Sequence, residues 1–216
     1  MSSELENDLS TQFMEASIIE SPHIIQARRA AKDLGLEPVT PATAQFLTFL
    51  AHIIDATAIV EVGTGTGVST LAFFAGMKPE GLLTSVDCEA EHHGAAREIL
   101  KAADIAHTRF RLITGDALTV LPKLTPGAYD MVFVDAEYLE YPEYLEEGLR
   151  ILRPGGLLVL NHVFLGGKVV DDTNLDDDTI IIRDTVEAAR GMDNLTTSLI
   201  AIGDGLLVCS TTRNED

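Results

Sequence analysis

The chain has 216 residues, of which 46% are hydrophobic, so it can bury one sizeable core and we expect a single domain. Its 34 acidic and 15 basic residues give a formal net charge of −19, which repels nucleic-acid phosphates and anionic membrane surfaces and argues against partners of either kind. The two cysteines, Cys88 and Cys209, fit neither a zinc site nor a disulfide framework, so we expect a protein of the reducing cytoplasm.

The first 56 residues are predicted to form three helices before any strand. The opening run MSSELENDLS has neither the basic nor the apolar region of a secretion signal, and no apolar run in the chain is long enough to span a bilayer. Ser3 and Glu6 form a capping-box pattern, and Ser21-Pro22 and Thr40-Pro41 each place an N-cap residue before a proline at the first helical position. Segment 1–56 is interpreted as a layer that covers the sheet, pairs two copies of the chain or closes over the substrate; these alternatives stay open.

Residues 57–216 alternate between strand and helix patterns, which is typical of a parallel sheet with helices on both faces. The predicted strands are 58–62, 82–87, 109–114, 129–135, 157–162, 197–202 and 206–211. The turn Gly203-Asp204-Gly205 favours an antiparallel hairpin between the last two strands. The predicted fold class is therefore α/β, with a single doubly wound, Rossmann-like domain and a seven-stranded, mostly parallel sheet whose last strand is antiparallel.

The stretch IVEVGTGTGVST, residues 59–70, is predicted to turn from a buried strand into a helix. Gly63, Gly65 and Gly67 leave the backbone bare, so that a ligand can approach N–H groups at a helix N-terminus. A dinucleotide fingerprint reads G-x-G-x-x-G, whereas here the third glycine comes one residue early and Glu61 precedes the first. A carboxylate there repels pyrophosphate but accepts hydrogen bonds from an ammonium group, which favours a ligand such as S-adenosylmethionine. The alternative is a tight turn without a ligand.

Polar residues stand at the ends of the predicted parallel strands, where an open sheet places its ligand. Asp87 ends the second strand, twenty residues after Gly67, where a carboxylate can hold the hydroxyls of a ribose. Cys88 follows it without an activating base and is interpreted as a small apolar filler. The next three strand ends carry Asp116-Ala117, Asp135 and Asn161-His162.

The run VEVGTGTGVST is followed by TSVDCEAE, LITGDAL, YDMVFVDAEYLEYPEYLEEGLRILRPGGLLVLNHVFLGGKVVD and IAIGDGLLV. In this order the runs resemble S-adenosylmethionine-dependent O-methyltransferases of the catechol and caffeoyl-coenzyme A type, from about residue 41 onward. The resemblance implies a homodimer and a small hydroxylated acceptor of the phenolic or catechol kind. It implies a cofactor-binding set, around the methionine part, the ribose and the adenine, of Glu61, Gly63, Thr64, Gly65, Ser69, Asp87, Cys88, Asp116, Ala117 and Asp135.

In the resembling family Asp135 also ligates a divalent metal, but the neighbouring positions of this chain depart from the family pattern. The family reads D-A-D-K and D-N where this sequence reads Asp135-Ala136-Glu137-Tyr138 and Asn161-His162. The chain thus lacks a second metal carboxylate and the lysine credited with handling the proton of the substrate hydroxyl. Asp135, Asn161 and His162 are weak ligand candidates that suit Mg²⁺ poorly and zinc better, so a divalent metal is doubtful.

Without a metal, another group must take the proton of the acceptor hydroxyl. His162 is the candidate base, Tyr138 is a candidate for orienting the hydroxyl or relaying its proton, and Asp135 completes the predicted catalytic set. The alternative is that His162 only forms hydrogen bonds in the turn after the fifth strand. His92 and His93 diverge as neighbours on a helix, and we expect both to face solvent.

Two other functions are compatible with the sequence. A catalytically silent S-adenosylmethionine-binding protein would explain the altered metal and lysine positions. A nicotinamide-dependent oxidoreductase would also use a glycine loop, but the early third glycine and Glu61 argue against it.

Overall fold

In the computed structural model, which describes the backbone of residues 2–212 and the side chains of residues 9–212, the N-terminal helices begin where the sequence places their caps. The side chains of Ser21 and Thr40 accept backbone hydrogen bonds, each at 3.2 Å, from the residue three positions on, and a proline follows each cap. Both predicted helix starts are confirmed, whereas the capping box at Ser3 and Glu6 lies outside the described side chains. The helices are α1 (Ser2–Ser17), α2 (Pro22–Asp33), α3 (Pro41–Ile53), α4 (Val68–Gly76), α5 (Ala90–Ala102), α6 (Ala117–Val120), α7 (Tyr141–Ile151) and α8 (Asp177–Arg190).

The sheet has seven strands in the order β3-β2-β1-β4-β5-β7-β6. Their bounds are β1 (Ala58–Val62), β2 (Leu82–Asp87), β3 (Phe110–Thr114), β4 (Tyr129–Val134), β5 (Leu152–Leu160), β6 (Leu195–Ile200) and β7 (Leu206–Thr211). Strands β1 to β5 pair in parallel, and β7 pairs antiparallel with both β5 and β6. The predicted fold class is confirmed, and the strand order reverses between β1 and β4, where open α/β sheets bind ligands.

Four predicted strands differ in their bounds from the observed ones, and β4 and β5 end at Val134 and Leu160 rather than at residues 135 and 162. Strand β5 begins at Leu152 rather than at residue 157, because the chain is already extended through the Pro154-Gly155-Gly156 run. Strand β6 lies two residues before its predicted position, and β3 starts at Phe110 because His107–Arg109 forms a short 3-10 turn.

Hydrophobic clusters cover both faces of the sheet. On one face, side chains of α2, α3 and α4 pack on β1 and β4, and the Phe73 and Phe133 rings meet edge to face at 5.6 Å. On the other face, Tyr141 and Leu145 of α7 and Ile182 of α8 pack on the opposite side of the strands. Helices α2 and α3 thus form part of the same core as the sheet, while the division at residue 56 stays a prediction. Within residues 2–212, no helix combines the length and the apolar character that crossing a membrane requires.

Candidate active site

The loop between β1 and α4 is built from glycines in the left-handed region. The φ angles of Gly63, Gly65 and Gly67 are +91°, +49° and +88°, which L side chains rarely adopt. A Cβ atom on Gly63 would lie 2.0 Å from the carbonyl oxygen of Asp135, so glycine is required for the close approach of β1 and β4. This contact places the loop directly against the end of β4.

Asp87 holds the loop from the end of β2. Its Oδ2 atom accepts hydrogen bonds from the N–H groups of Thr64, at 3.1 Å, and Gly65, at 2.9 Å. Its Oδ1 atom accepts from the N–H of Glu89 at 2.9 Å and lies 3.0 Å from His92 Nδ1. Asp87 therefore fixes the glycine loop while its carboxylate stays at the edge of the cleft, 9% exposed.

Two cavities meet at Asp87. The inner cavity, of about 180 Å³, lies between the glycine loop and residues 36–39 of the α2–α3 connection. The outer cavity, of about 440 Å³, is lined by Asp116, Ala117 and Tyr144, and Asp135 borders both cavities. Cys88 is exposed at the outer cavity, so its interpretation as an apolar filler is wrong: the chain leaves the sheet directly after Asp87 and turns this side chain outward.

Glu61 lies beneath the loop rather than on the wall of the inner cavity. It is fully buried, and its carboxylate accepts hydrogen bonds from the hydroxyls of Ser69 at 2.6 Å, Thr70 at 2.7 Å and Ser85 at 2.5 Å. Burial raises the pKa of Glu61 to about 7, although the three hydroxyl donors favour the ionised form. The buried Glu61 carboxylate does not reach the inner cavity for the expected direct contact with an ammonium group: Ser69, which bonds to it, lines the cavity instead.

The prediction that His92 and His93 both face solvent is wrong. His92 turns toward Asp87 and lines the inner cavity, and its side chain is 19% exposed. His93 is buried at 4% exposure, with Nε2 lying 2.9 Å from Thr64 Oγ1 and Nδ1 lying 2.8 Å from Thr114 Oγ1. The side chains of adjacent helical residues do point in different directions, but α5 packs along the cleft, so both histidine side chains contact protein.

Asp135, Asn161 and His162 meet at the ends of β4 and β5, as predicted. The Asn161 amide donates to Asp135 Oδ1 at 3.0 Å, and His162 Nε2 lies 3.4 Å from the same oxygen. Burial raises the pKa of Asp135, while the charge of His162 and the hydrogen bond from Asn161 oppose the shift. His162 has a φ of +55°, a left-handed conformation that turns its ring back toward the end of β4.

Asp204, which the sequence reasoning did not select, completes this cluster from the tip of the β6–β7 hairpin. Its Oδ2 atom lies 3.1 Å from His162 Nδ1, and its Oδ1 atom accepts the N–H of Gly166 at 2.7 Å. The backbone of Val163 and Phe164 is hydrogen-bonded to the hairpin tip as well. The result is a row of carboxylate, imidazole and carboxylate, in the order Asp204, His162 and Asp135. The sequence indicated Asp204 only by its position as the acidic residue inside the Gly-Asp-Gly turn.

Three tyrosines lie beside this row. Tyr141 is fully buried and donates its hydroxyl to the backbone oxygen of Asn161 at 2.8 Å, which fixes the end of β5. Tyr144 is also buried, and its hydroxyl bonds to Glu140. The Tyr138 ring is half-buried, and its centre lies 6.1 Å from that of His162 and 5.8 Å from that of Tyr141. Of the three tyrosines, Tyr138 is therefore the least buried and the one whose ring lies beside His162.

The donor set at the end of β4 fits a hard divalent cation poorly. Asp135 Oδ1 already accepts from Asn161 and faces His162, and no second carboxylate stands at the position of Asn161. In the described part of the chain, no group of three or more His, Cys, Asp or Glu side chains is arranged to hold a metal ion. Asp135, Asn161 and His162 thus stay weak candidates for metal ligands.

The strand order is one feature that places the chain in the class of Rossmann-like methyltransferases. The other is the glycine loop, which lies above a carboxylate and lacks the G-x-G-x-x-G pattern of pyrophosphate-binding loops. Comparison with known proteins supplies the family: the model of the O-methyltransferase family matches residues 14–212. The chain belongs to this family of S-adenosylmethionine-dependent enzymes, and the interpretation as a nicotinamide oxidoreductase is set aside.

Two similar proteins named as O-methyltransferases agree with this assignment, and a third solved structure shares the fold. A probable O-methyltransferase of Mycobacterium tuberculosis is 40% identical over 193 residues, which cover 89% of this chain and 86% of the relative. The O-methyltransferase TomG of Streptomyces achromogenes, involved in tomaymycin synthesis and solved in complex with S-adenosylmethionine, is 30% identical with a TM-score of 0.86 over 98% of this chain and 99% of that one. A Corynebacterium glutamicum protein is 26% identical with a TM-score of 0.90 over the same shares.

Proposed function

We propose that the protein transfers a methyl group from S-adenosylmethionine to a hydroxyl of a small phenolic or catechol-like acceptor, with weak or no dependence on a metal. The observation that carries this proposal is the row of Asp204, His162 and Asp135, which lies beside the glycine loop. This row supplies His162 as a base at the place where the family pattern has a metal and a lysine.

The two cavities suit the parts of the donor. The methionine part lies in the inner cavity, where Ser69 donates its proton to Glu61 and therefore presents lone pairs to an ammonium group. The ribose lies at the junction, next to Asp87 and Thr64. The adenine lies in the outer cavity, against Asp116-Ala117 and the exposed Cys88.

Methyl transfer is an in-line displacement, in which the acceptor oxygen attacks the methyl carbon and the carbon–sulfur electron pair stays on sulfur as S-adenosylhomocysteine forms. With its Nδ1–H donated to Asp204, His162 leaves Nε2 unprotonated to take the proton of the hydroxyl. Asp135, 3.4 Å from Nε2, stabilises the imidazolium that results. Tyr138 orients the acceptor ring beside His162.

The charges around Tyr138 favour a neutral or cationic acceptor. Burial raises the pKa of the Tyr138 hydroxyl, and the nearby carboxylates of Asp135, Asp204, Asp178 and Glu137 raise it further. Because like charges repel in a partly desolvated site, an anionic acceptor such as a coenzyme A ester is disfavoured. We expect catechol amines and neutral catechols to be methylated faster than catechol carboxylates.

His162→Gln tests the proposal in an assay of radiolabelled methyl transfer to catechol. We expect the rate of transfer to fall about 10²- to 10⁴-fold, the usual contribution of a general base, while calorimetry finds unchanged affinity for S-adenosylhomocysteine. His107→Gln, on the exposed turn before β3, is the matched control. Full activity of the His162 variant would refute His162 as the base.

The catalytically silent binder is the second candidate, because the lysine and the metal carboxylate of the family pattern are replaced here by Tyr138 and Asn161. It would bind S-adenosylhomocysteine as tightly as an enzyme does. It would transfer no methyl group to any neutral, cationic or anionic catechol.

We further propose a cytoplasmic homodimer formed through α1 and α3. Phe13, Phe49 and Ile53 are large apolar side chains that are more than half exposed on these helices, and such patches are typical of interfaces. Sedimentation equilibrium of the wild type and of Phe49→Glu would test this assembly; a monomeric wild type would refute it.

A further inference from the structure

A row of buried polar side chains runs beneath the glycine loop, from α5 to the wall of the inner cavity. Thr114 Oγ1 lies 2.8 Å from His93 Nδ1, and His93 Nε2 lies 2.9 Å from Thr64 Oγ1. Thr64 Oγ1 lies 2.6 Å from Ser85 Oγ, which bonds to Glu61 at 2.5 Å. Glu61 in turn accepts from Ser69, so the row reaches a side chain that lines the cavity.

Hydrogen-bond capacity fixes the direction of this row. Above the pKa of Glu61, where its carboxylate is ionised, Ser85 donates its single proton to Glu61 and can only accept from Thr64. Thr64 then donates to Ser85 and must accept from His93, which places a proton on His93 Nε2. In a neutral ring, His93 Nδ1 then accepts from the Thr114 hydroxyl, which corresponds to the Nε2–H tautomer.

The surroundings of His93 agree with a neutral ring. Burial lowers the pKa of His93, and the nearby Arg97 and His92 act in the same direction against the opposing charge of Asp87. The ring is 4% exposed, so it has no direct contact with a ligand in either cavity.

We propose that His93 is a positioning residue for the methyl donor. Its Nε2–H group holds Thr64 from below, while Asp87 holds the N–H groups of the same loop from the side. Through Ser85 and Glu61 the row also fixes the hydroxyl of Ser69, which faces the donor. The inference rests on the proposed placement of the donor at this loop, and it assigns to His93 an effect on donor binding but none on the acceptor.

Two variants of His93 distinguish the effect of losing the hydrogen bond to Thr64 from the effect of losing the imidazole ring. The side-chain nitrogen of Gln reaches the position of Nε2, whereas that of Asn reaches only Nδ1. We expect His93→Asn to weaken the binding of S-adenosylhomocysteine and to raise KM for S-adenosylmethionine about fivefold to tenfold, the equivalent of one buried hydrogen bond. His93→Gln should restore both values, and the KM for catechol should stay unchanged in both variants.

Thr64→Val tests the other end of the same bond if His93→Asn folds poorly. We expect it to weaken binding at least by the same factor, because Thr64 also loses its bond to Ser85, and the double variant to lose no more than Thr64→Val alone, because the bond between His93 and Thr64 is then already absent. Nitrogen-15 NMR of the wild type at pH 8 should show His93 protonated on Nε2 alone. Thermal melts distinguish a purely structural role, which would lower the melting temperature of both His93 variants without separating their affinities.

Equal affinities of His93→Asn and His93→Gln would overturn the inference, and so would a His93 protonated on Nδ1. A wild-type chain that fails to bind S-adenosylhomocysteine in calorimetry would overturn the proposed function together with this inference. Wild-type binding with no difference between the variants would overturn the inference alone.

Discussion

Replacing Gly63 by alanine tests whether the glycine loop is set by the contact between β1 and β4. The added Cβ would lie 2.0 Å from the Asp135 carbonyl oxygen and 2.9 Å from its carbon, and both atoms belong to a backbone fixed in the sheet. The left-handed φ of +91° costs about 1–2 kcal/mol for an L side chain, and overpacking costs about 1–3 kcal/mol more. We therefore expect Gly63→Ala to lower the free energy of unfolding by about 2–5 kcal/mol.

Gly65→Ala is the matched control, because a Cβ there would meet only Leu36 Cδ1, at 3.9 Å, and the φ is +49°. We expect it to cost about 1 kcal/mol, from backbone conformation alone. Urea denaturation without cofactor measures both values, and the melting temperature should fall about 2–4 °C for each kcal/mol. Equal losses in the two variants would refute the conclusion that the clash with Asp135, rather than φ, dominates at Gly63.

Three further results are expected. An excess of chelator should leave methyl transfer within about twofold of its untreated rate, because the set at Asp135 is a poor match for a hard cation; a loss restored by Mg²⁺ would contradict this. Asp87→Asn should weaken the binding of S-adenosylhomocysteine about 10- to 100-fold, since it removes charged acceptors at the cavity junction, and unchanged calorimetric affinity would argue against the ribose role. Glu61 has a pKa raised from 4.5 to about 7, so the folded state binds its proton more tightly and stability falls as pH rises from 4.5 to 7, by about 3 kcal/mol. Glu61→Gln should not show this decline, so its stability relative to the wild type should rise between pH 4.5 and pH 7, as urea denaturation at these two pH values would show. Equal declines in the variant and the wild type would contradict the raised pKa of Glu61.

The sequence predicted the centre of the sheet well because β1, β4 and β5 are buried on both faces along most of their length and are rich in apolar residues. Strands β1, β2 and β7 have the predicted bounds, and the N-caps Ser21 and Thr40 form the expected hydrogen bonds. Strand β5 was predicted too short because Pro154 and two glycines resemble a turn, although the chain there continues in extended form.

The candidate site was predicted less completely, because long-range contacts decide which polar residues meet. Asp135, Asn161 and His162 end neighbouring strands, and the topology alone brings them together. Asp204 comes from a hairpin whose insertion beside β5 is visible only in the sheet order. His93 was misjudged because periodicity gives the direction of a side chain along its own helix but not the element that covers it.

The position of β7, between β5 and β6, makes the surroundings of His162 depend on the last hairpin of the chain. Strands β1 to β4 bring together the glycine loop, Asp87 and Asp135, whereas Asp204 reaches His162 only through the pairing of β7 with β5 and β6. A change that loosens the β6–β7 hairpin should therefore slow methyl transfer more than it weakens binding of the donor.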